Sequence, residues 1–133
     1  MRWLKSRALG VEIVLSLLAA WGMIRFASPS RRRAWLDVSP LTADPDDAAR
    51  HYACNVGRKV ARIAHAAPLD LPCLPQALAT RWVLARRGMA SRLVIGAQRD
   101  PAKANGMDLH AWLMIGETCV SGGEARARHR ALS

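Results

Sequence analysis

The hydrophobic and polar positions along the chain predict helices in its first part and strands after them. The chain starts with a segment of basic character at 1–7. An apolar run follows at 13–24, with Glu12 directly before it and Arg25 directly after it. This run is shorter than the roughly twenty apolar residues that cross a bilayer, and a longer span would draw both charges into hydrocarbon. The pattern favours a helix that packs on the core or on a partner. A helix on the membrane surface and a cleaved signal peptide are the alternatives.

A second helix is predicted to begin at Asp44 and to end before Pro68. Asp44 is a suitable N-cap, Pro45 fits the first helical position, and Asp47 adds negative charge to the first turn. Apolar positions then recur every three or four residues and form one stripe, made of Ala49, Tyr52, Ala53, Val56, Val60 and Ile63. The opposite, solvated face carries Arg50, Arg58, Lys59 and Arg62.

A third helix is predicted between Pro75, near its start, and Gly88, just past its end. Arg86 and Arg87 in its last turn complement the helix dipole. Its predicted buried stripe consists of Leu74, Ala77, Leu78, Trp82 and Ala85.

Beyond the third helix the hydrophobic period changes to that of short strands. Strands are predicted at 91–99, 109–115 and 118–121, with a polar loop at 100–106. Gly116 and Glu117 form a two-residue hairpin loop, with glycine where a type II′ turn requires a positive φ. N-terminal helices followed by a small antiparallel sheet define an α+β fold.

Length and composition allow one small domain. The 133 residues are 51% hydrophobic and 23% charged, which supplies a core and excludes wholesale disorder. The predicted divisions are an apolar helix at 1–27, a proline- and arginine-rich connection at 28–45, the main domain at 46–124 and a solvated basic tail at 125–133. The arginine run at 31–33 is predicted to be solvated as well.

The positive charge of the chain leaves the class of ligand open. A formal net charge of +10 is compatible with nucleic acid, an anionic membrane surface or an acidic partner. The sequence shows no helix-turn-helix, zinc finger or aromatic RNA-binding strand, and its positive charges are scattered. A non-catalytic basic module that contacts nucleic acid or an anionic membrane surface is therefore the alternative to an enzyme.

Two residues carry the chemistry that the sequence suggests. Cys73 lies directly before the third helix, where unpaired backbone N–H groups stabilise a thiolate and a developing oxyanion. His110 lies on the second predicted strand, and a cysteine peptidase needs such an imidazole to take and return a proton. The alternatives are a packing cysteine and a half-buried histidine. The three cysteines form no disulfide pattern, which favours a reducing compartment.

Three further residues are weighed for roles near these two. Gln76, one helical turn after Cys73, is a candidate hydrogen-bond donor to a substrate carbonyl. Cys54 and Cys119 are predicted to pack, with Cys119 on the face of the sheet that carries His110. No metal or cofactor is predicted, because a zinc site of Cys73, His110 and Cys119 would lack a close-spaced pair of ligands.

Five short segments, in this order and spacing, resemble the lasso peptide biosynthesis B proteins, which are transglutaminase-like leader peptidases related to the microcin J25 maturation protease. These segments are CLPQALA at 73–79, WVLARRG at 82–88, SRLVIG at 91–96, HAWL at 110–113 and VSGGE at 120–124. The resemblance covers about residues 47–124 well and the preceding helix and connection more loosely.

The resemblance implies a papain/transglutaminase-like fold and a cytoplasmic thiol protease that removes the leader from a ribosomally made lasso precursor peptide. It implies Cys73 as the nucleophile and His110 as the general base. Members of the family act with a leader-recognition domain and an ATP-dependent macrolactam cyclase. Because the chain is too short to include that domain, the expected partners are the precursor, a separate leader-recognition protein and the cyclase. Nucleic acid is not expected, and membrane-surface contact stays open.

The superfamily completes its triad with an aspartate on the strand after the histidine, and here the sequence departs from it. In a regular hairpin Leu113 pairs with Val120, and Glu124 then points away from His110. A β-bulge or a one-residue slip would change that pairing. Asp108 shares the face of His110 two residues earlier and is the weak third member of what is otherwise a Cys–His dyad.

Overall fold

A computed structural model describes residues 2–26, 45–68, 71, 73–99, 102, 107–122 and 130–131 of the chain. The described residues form the helices α1 (Arg2–Phe26), α2 (Asp47–Ala66) and α3 (Cys73–Ala85). They also form the strands β1 (Arg92–Arg99), β2 (Met107–Ile115), β3 (Thr118–Ser121) and β4 (Arg130–Ala131). Because helices precede an antiparallel sheet, the predicted α+β class is confirmed. The arginine run at 31–33 lies outside the described residues.

The sheet is antiparallel, with the strand order β3-β2-β1-β4. β1 and β2 pair regularly from Arg92 opposite Met114 to Arg99 opposite Met107, so β2 begins two residues earlier than predicted. β3 has its predicted bounds. The turn before it has a φ of 55° at Gly116, the sign that the first position of a type II′ turn requires.

The end of the chain returns to the sheet. Arg130 and Ala131 form β4 and pair with Ala97 and Gly96 at the outer edge of β1. The prediction of a wholly solvated tail is wrong at these two residues. An edge strand presents unpaired N–H and C=O groups, and a following segment of the same chain can satisfy them whatever its charge.

The two faces of the sheet bury different sets of side chains, because successive residues of a strand point in opposite directions. One face packs on the helices and belongs to the main core, with Leu93, Ala111, Leu113, Ile115 and Val120. The other face carries a second cluster of Val94, Trp112 and Met114, with Cys119 packed against it. Cys119 therefore lies on the face that carries the even-numbered positions of β2, as predicted.

Helix α1 packs on the body of the protein. Its residues Ile13, Leu17 and Ala20 are buried in the main core together with residues of α2, α3 and the sheet. The prediction of a packed first helix is therefore confirmed. The outer face of α1 leaves Val11 and Leu15 about 60% exposed. The segment Arg7–Phe26 also has the length and apolar composition of a membrane-spanning helix, which the shorter run seen in the sequence did not indicate.

Glu12 ties α1 to the end of α3. Its two carboxylate oxygens accept hydrogen bonds from Arg86 at 2.7 Å and from Arg87 at 2.8 Å. The hydrogen bond from Arg87 is the main cause that lowers the pKa of Glu12 from 4.5 to about 2. From the sequence, the two arginines were assigned a role with the helix dipole alone. Their partner Glu12 is more than seventy positions away, and a local pattern cannot reveal a contact over that separation.

Helix α2 begins later than predicted. Asp46 is the N-cap, and its Oδ1 accepts a hydrogen bond of 2.7 Å from the backbone N–H of Ala49. The prediction of Asp44 as the cap is wrong, because the helix begins at Asp47 and Asp46, on the other side of Pro45, caps its first turn. The predicted stripe is largely confirmed, with Ala53, Val56, Gly57, Val60 and Ala64 buried.

Helix α3 is the central helix of the fold. Its buried residues occupy most of its circumference and include Pro75, Ala77, Leu78, Ala79, Thr80, Val83 and Leu84. The single predicted stripe was therefore wrong in part: Trp82 is only half-buried and Ala85 is exposed. Beyond the helix, the N–H of Gly88 bonds to Ala85 and the N–H of Met89 bonds to Leu84. This pair of bonds is a Schellman motif and explains why glycine ends the helix.

Candidate active site

Cys73 opens α3 and reaches the second strand of the sheet. Because α3 begins at this residue, the thiol belongs to the first turn, where backbone N–H groups have no helical acceptor. The Sγ atom accepts a hydrogen bond of 3.2 Å from the backbone N–H of Ala111 on β2. A hydrogen bond donated to sulfur favours negative charge on it. The strand therefore presents an N–H group to a sulfur that lies in the first turn of the helix.

The segment before α3 is held by Gln76. Its Nε2 donates a hydrogen bond of 2.8 Å to the carbonyl oxygen of Leu71, which is buried just ahead of the helix. An amide nitrogen carries two N–H groups, so a second donor on Gln76 is left for another acceptor. Gln76 thus has a local structural role that the sequence did not indicate, and its role toward a substrate stays a prediction.

His110 lies on β2 directly before the residue that bonds the thiol. It is opposite Gly96 of β1, it is half-buried, and its Nδ1 atom is shielded from solvent. Strand alternation gives His110 the face of Trp112, whereas a peptide N–H lies in the plane of the sheet. The Cys73 sulfur therefore bonds to the backbone directly after His110, whose side chain strand alternation assigns to the face of Trp112.

The pairing of β3 with β2 is irregular, and this changes the prediction for the third site residue. Ile115 pairs with Thr118 as predicted, but Leu113 pairs with Ser121 instead of Val120. The extra residue is a β-bulge, which sequence reasoning had named as the condition for bringing Glu124 into play. The predicted pairing of Leu113 with Val120 is therefore wrong, and it no longer argues against Glu124. Glu124 itself lies outside the described residues.

Two glycines allow backbone segments to approach each other closely at β3 and just after it. A Cβ added to Gly57 of α2 would overlap the carbonyl oxygen of Val120, so α2 touches β3 at the bulge. Gly122 has a φ of 76°, and a Cβ there would lie 2.7 Å from the carbonyl oxygen of Ala111. Only glycine accommodates both of these approaches.

A cleft of about 650 Å³ opens between α2 and β3. We call it the α2–β3 cleft; its lining residues are Gly57, Arg58, Ala61, Arg62, His65, Gln76, Cys119, Val120, Ser121 and Gly122. Sequence reasoning had assigned Arg58 and Arg62 to a solvated face and His65 to the helix surface. Their spacing of four and three residues indicates one face of the helix, but only the fold shows that this face borders a cleft.

The other predicted residues are placed as follows. Cys54 packs against the main core, and all three cysteines are free thiols. Asp108 lies on β2 opposite Gln98, and its side chain is outside the part of the chain that the structure describes. Within that part, no three His, Cys, Asp or Glu side chains are grouped so that they could hold a metal ion.

These features define an α+β domain in which a cysteine at a helix N-terminus meets an antiparallel sheet. The family model of the transglutaminase-like superfamily matches residues 16–133. The chain therefore belongs to the transglutaminase-like superfamily. That superfamily includes cysteine peptidases, and the fold is consistent with their activity. No curated protein and no solved structure matches the chain.

Proposed function

We propose that this protein is a thiol protease that removes the leader from a ribosomally made, lasso-type precursor peptide. The observation that carries the proposal is the hydrogen bond between the Cys73 sulfur and Ala111, the residue next to His110. It joins the candidate nucleophile to the strand of the candidate base. The superfamily membership supports the thiol chemistry, and the five quoted segments support the choice of substrate.

The proposed reaction is acyl transfer to the sulfur followed by hydrolysis. His110 takes the thiol proton, and the Cys73 sulfur attacks the carbonyl carbon of the scissile peptide bond. N–H groups of the first turn of α3 stabilise the oxyanion, with the second amide N–H of Gln76 as a further donor. His110 returns the proton to the leaving amine as the C–N bond breaks. Water then hydrolyses the thioester and releases the carboxylate.

A third group orients the imidazole in the proposed site. Asp108 is two residues before His110 on the same strand. Glu124 is the second candidate, because the register shift that its candidacy required is present between Leu113 and Met114. The orienting carboxylate is the one whose amide variant, Asp108→Asn or Glu124→Gln, lowers kcat while the protein stays folded.

The proposed setting is the cytoplasm, since free thiols persist in a reducing compartment. The proposed partners are the precursor peptide, a separate leader-recognition protein and an ATP-dependent lasso cyclase. Contact with a membrane surface is the second candidate for localisation, and the exposed apolar residues Val11 and Leu15 of α1 favour it.

The proposal is tested by incubating the protein with a lasso-type precursor and its recognition protein, with mass spectrometry to detect the free leader. Wild-type protein should release the leader, and Cys73→Ala should lower the rate at least about a thousandfold, because no other nucleophile replaces the sulfur. Cys54→Ala is the matched control and should cleave at the wild-type rate, since Cys54 packs against the core. Equal cleavage by Cys73→Ala would refute the mechanism.

A further inference from the structure

The wall that α2 contributes to the α2–β3 cleft is positively charged. Arg58, Arg62 and His65 follow one another at spacings of four and three residues, which places them on one face of the helix, and all three line the cleft. The described lining residues include no Asp or Glu. A peptide lying in this cleft therefore meets cationic side chains along one side.

Within the described part of the chain, neither of the two arginines, Arg58 and Arg62, pairs with a carboxylate. Arg58 donates to the carbonyl oxygen of Cys54 at 3.4 Å and to the amide oxygen of Asn55 at 2.8 Å, and both acceptors are neutral. Arg50, by contrast, pairs with Asp47, and Arg86 and Arg87 both pair with Glu12. Arg58 and Arg62 are thus available to an anionic ligand.

The cleft is connected to the candidate active site from two sides. Gln76 lines the cleft and lies one turn after Cys73 on α3. Gly122 also lines it and abuts Ala111, whose N–H bonds the Cys73 sulfur. A peptide cleaved at the sulfur would therefore place neighbouring residues in the α2–β3 cleft.

We propose that the α2–β3 cleft binds an acidic side chain of the peptide substrate, with Arg62 as the main specificity residue and Arg58 beside it. This inference rests on the proposed function and names the substrate's chemistry near the cleaved bond. Guanidinium groups match carboxylates in geometry and hold them through paired, charge-assisted hydrogen bonds. The described lining contains no Trp, Tyr or Phe ring, the usual platforms for base stacking, so the cleft suits a peptide better than single-stranded nucleic acid.

The binding test uses the Cys73→Ala protein, so that no probe is cleaved. The probe is a synthetic peptide of Gly, Ser and Ala with two Glu residues and a neutral fluorophore, and its partner peptide has Gln in place of Glu. Fluorescence anisotropy should show tighter binding of the Glu peptide, weakened about fivefold or more by Arg62→Gln. Arg62→Lys should retain part of the affinity, because it keeps the charge without the paired donors.

Arg50→Gln is the matched control, since it removes the same charge from the same helix at a residue already paired with Asp47. It should leave binding of the Glu peptide unchanged. Equal binding of the Glu and Gln peptides, or equal losses in Arg62→Gln and Arg50→Gln, would overturn the proposal. So would an Arg62-dependent affinity for a single-stranded oligonucleotide in the absence of affinity for the Glu peptide.

The result is separable from the test of the proposed function. Binding of the Glu peptide through Arg62, without precursor cleavage by the wild-type protein, would support the cleft and refute the leader peptidase. Cleavage of the precursor, with equal binding of the two peptides, would refute the acidic specificity and leave the leader peptidase in place.

Discussion

The Cys73 sulfur lies in the first turn of α3 and is held by a backbone group of the sheet. The N–H group of Ala111 on β2 donates a hydrogen bond to it. Because the donor belongs to the backbone, no residue type in the sequence marks this contact. The helix N-terminus was predictable because Pro75 marks the first turn, whereas the bond across thirty-eight positions required the fold.

Gly57 allows α2 to approach the backbone of β3 at Val120. Replacing it with alanine should destabilise the protein by about 1–3 kcal/mol, because the new methyl group overlaps the Val120 carbonyl oxygen and the backbone must move. Gly22→Ala is the control, because a Cβ there meets no atom within 4 Å. Since alanine favours a helix, that control should stabilise by about 0.5–1 kcal/mol. Urea unfolding measures both changes, and equal stabilities of the two variants would contradict the close approach.

The helices show where local patterns suffice and where they fail. The end of α2 before Pro68 and the glycine of the Schellman motif after α3 were predicted, whereas the start of α2 was predicted too early. The buried face of α3 was predicted only in part, because a central helix packs on several sides. The β-bulge in β3 and the short strand β4 had no signal in the hydrophobic pattern. Both depend on which backbone N–H and C=O groups of the neighbouring strands are free to pair, and the hydrophobic pattern does not record this.

At the level of elements, the ion pairs of Glu12 join α1 to the end of α3. Glu12→Gln should lower the free energy of unfolding at pH 7 by about 1–2 kcal/mol, less than the full pKa shift implies, because both guanidinium groups are partly exposed. The pKa of Glu12 is lowered by folding to about 2, so its contribution is complete above about 4.5 and is lost as the pH falls towards 2.

Urea unfolding of wild type and Glu12→Gln at pH 7, 4, 3 and 2 measures this dependence. The stability difference should shrink steadily below pH 4.5 as the carboxylate gains its proton. In an Arg87→Gln background, the effect of Glu12→Gln should be smaller, because the strongest partner is already absent. A difference that stays constant down to pH 2 would rule out the ion pairs as its source.

For the whole molecule, the fold accounts for part of the net charge of +10. Arg86 and Arg87 stabilise the packing of α1, whereas Arg58 and Arg62 line the α2–β3 cleft beside the candidate active site. Composition alone favoured no ligand, because it does not show which charges are paired. The α+β class followed from the sequence, and the catalytic roles of Cys73 and His110 stay predictions. The cleft joining α2, α3 and β3 did not follow from the sequence, because its walls come from distant segments.

The most direct test of the central claim, that His110 activates the Cys73 thiol, is the rate of alkylation at each cysteine. Iodoacetamide labelling at pH 6.5, resolved by peptide mass spectrometry, should modify Cys73 at least about ten times faster than Cys54 or Cys119, because thiolate is the reactive form. His110→Ala should slow labelling of Cys73 and leave the other two unchanged. Equal and slow labelling of all three cysteines, unaffected by His110→Ala, would contradict the account.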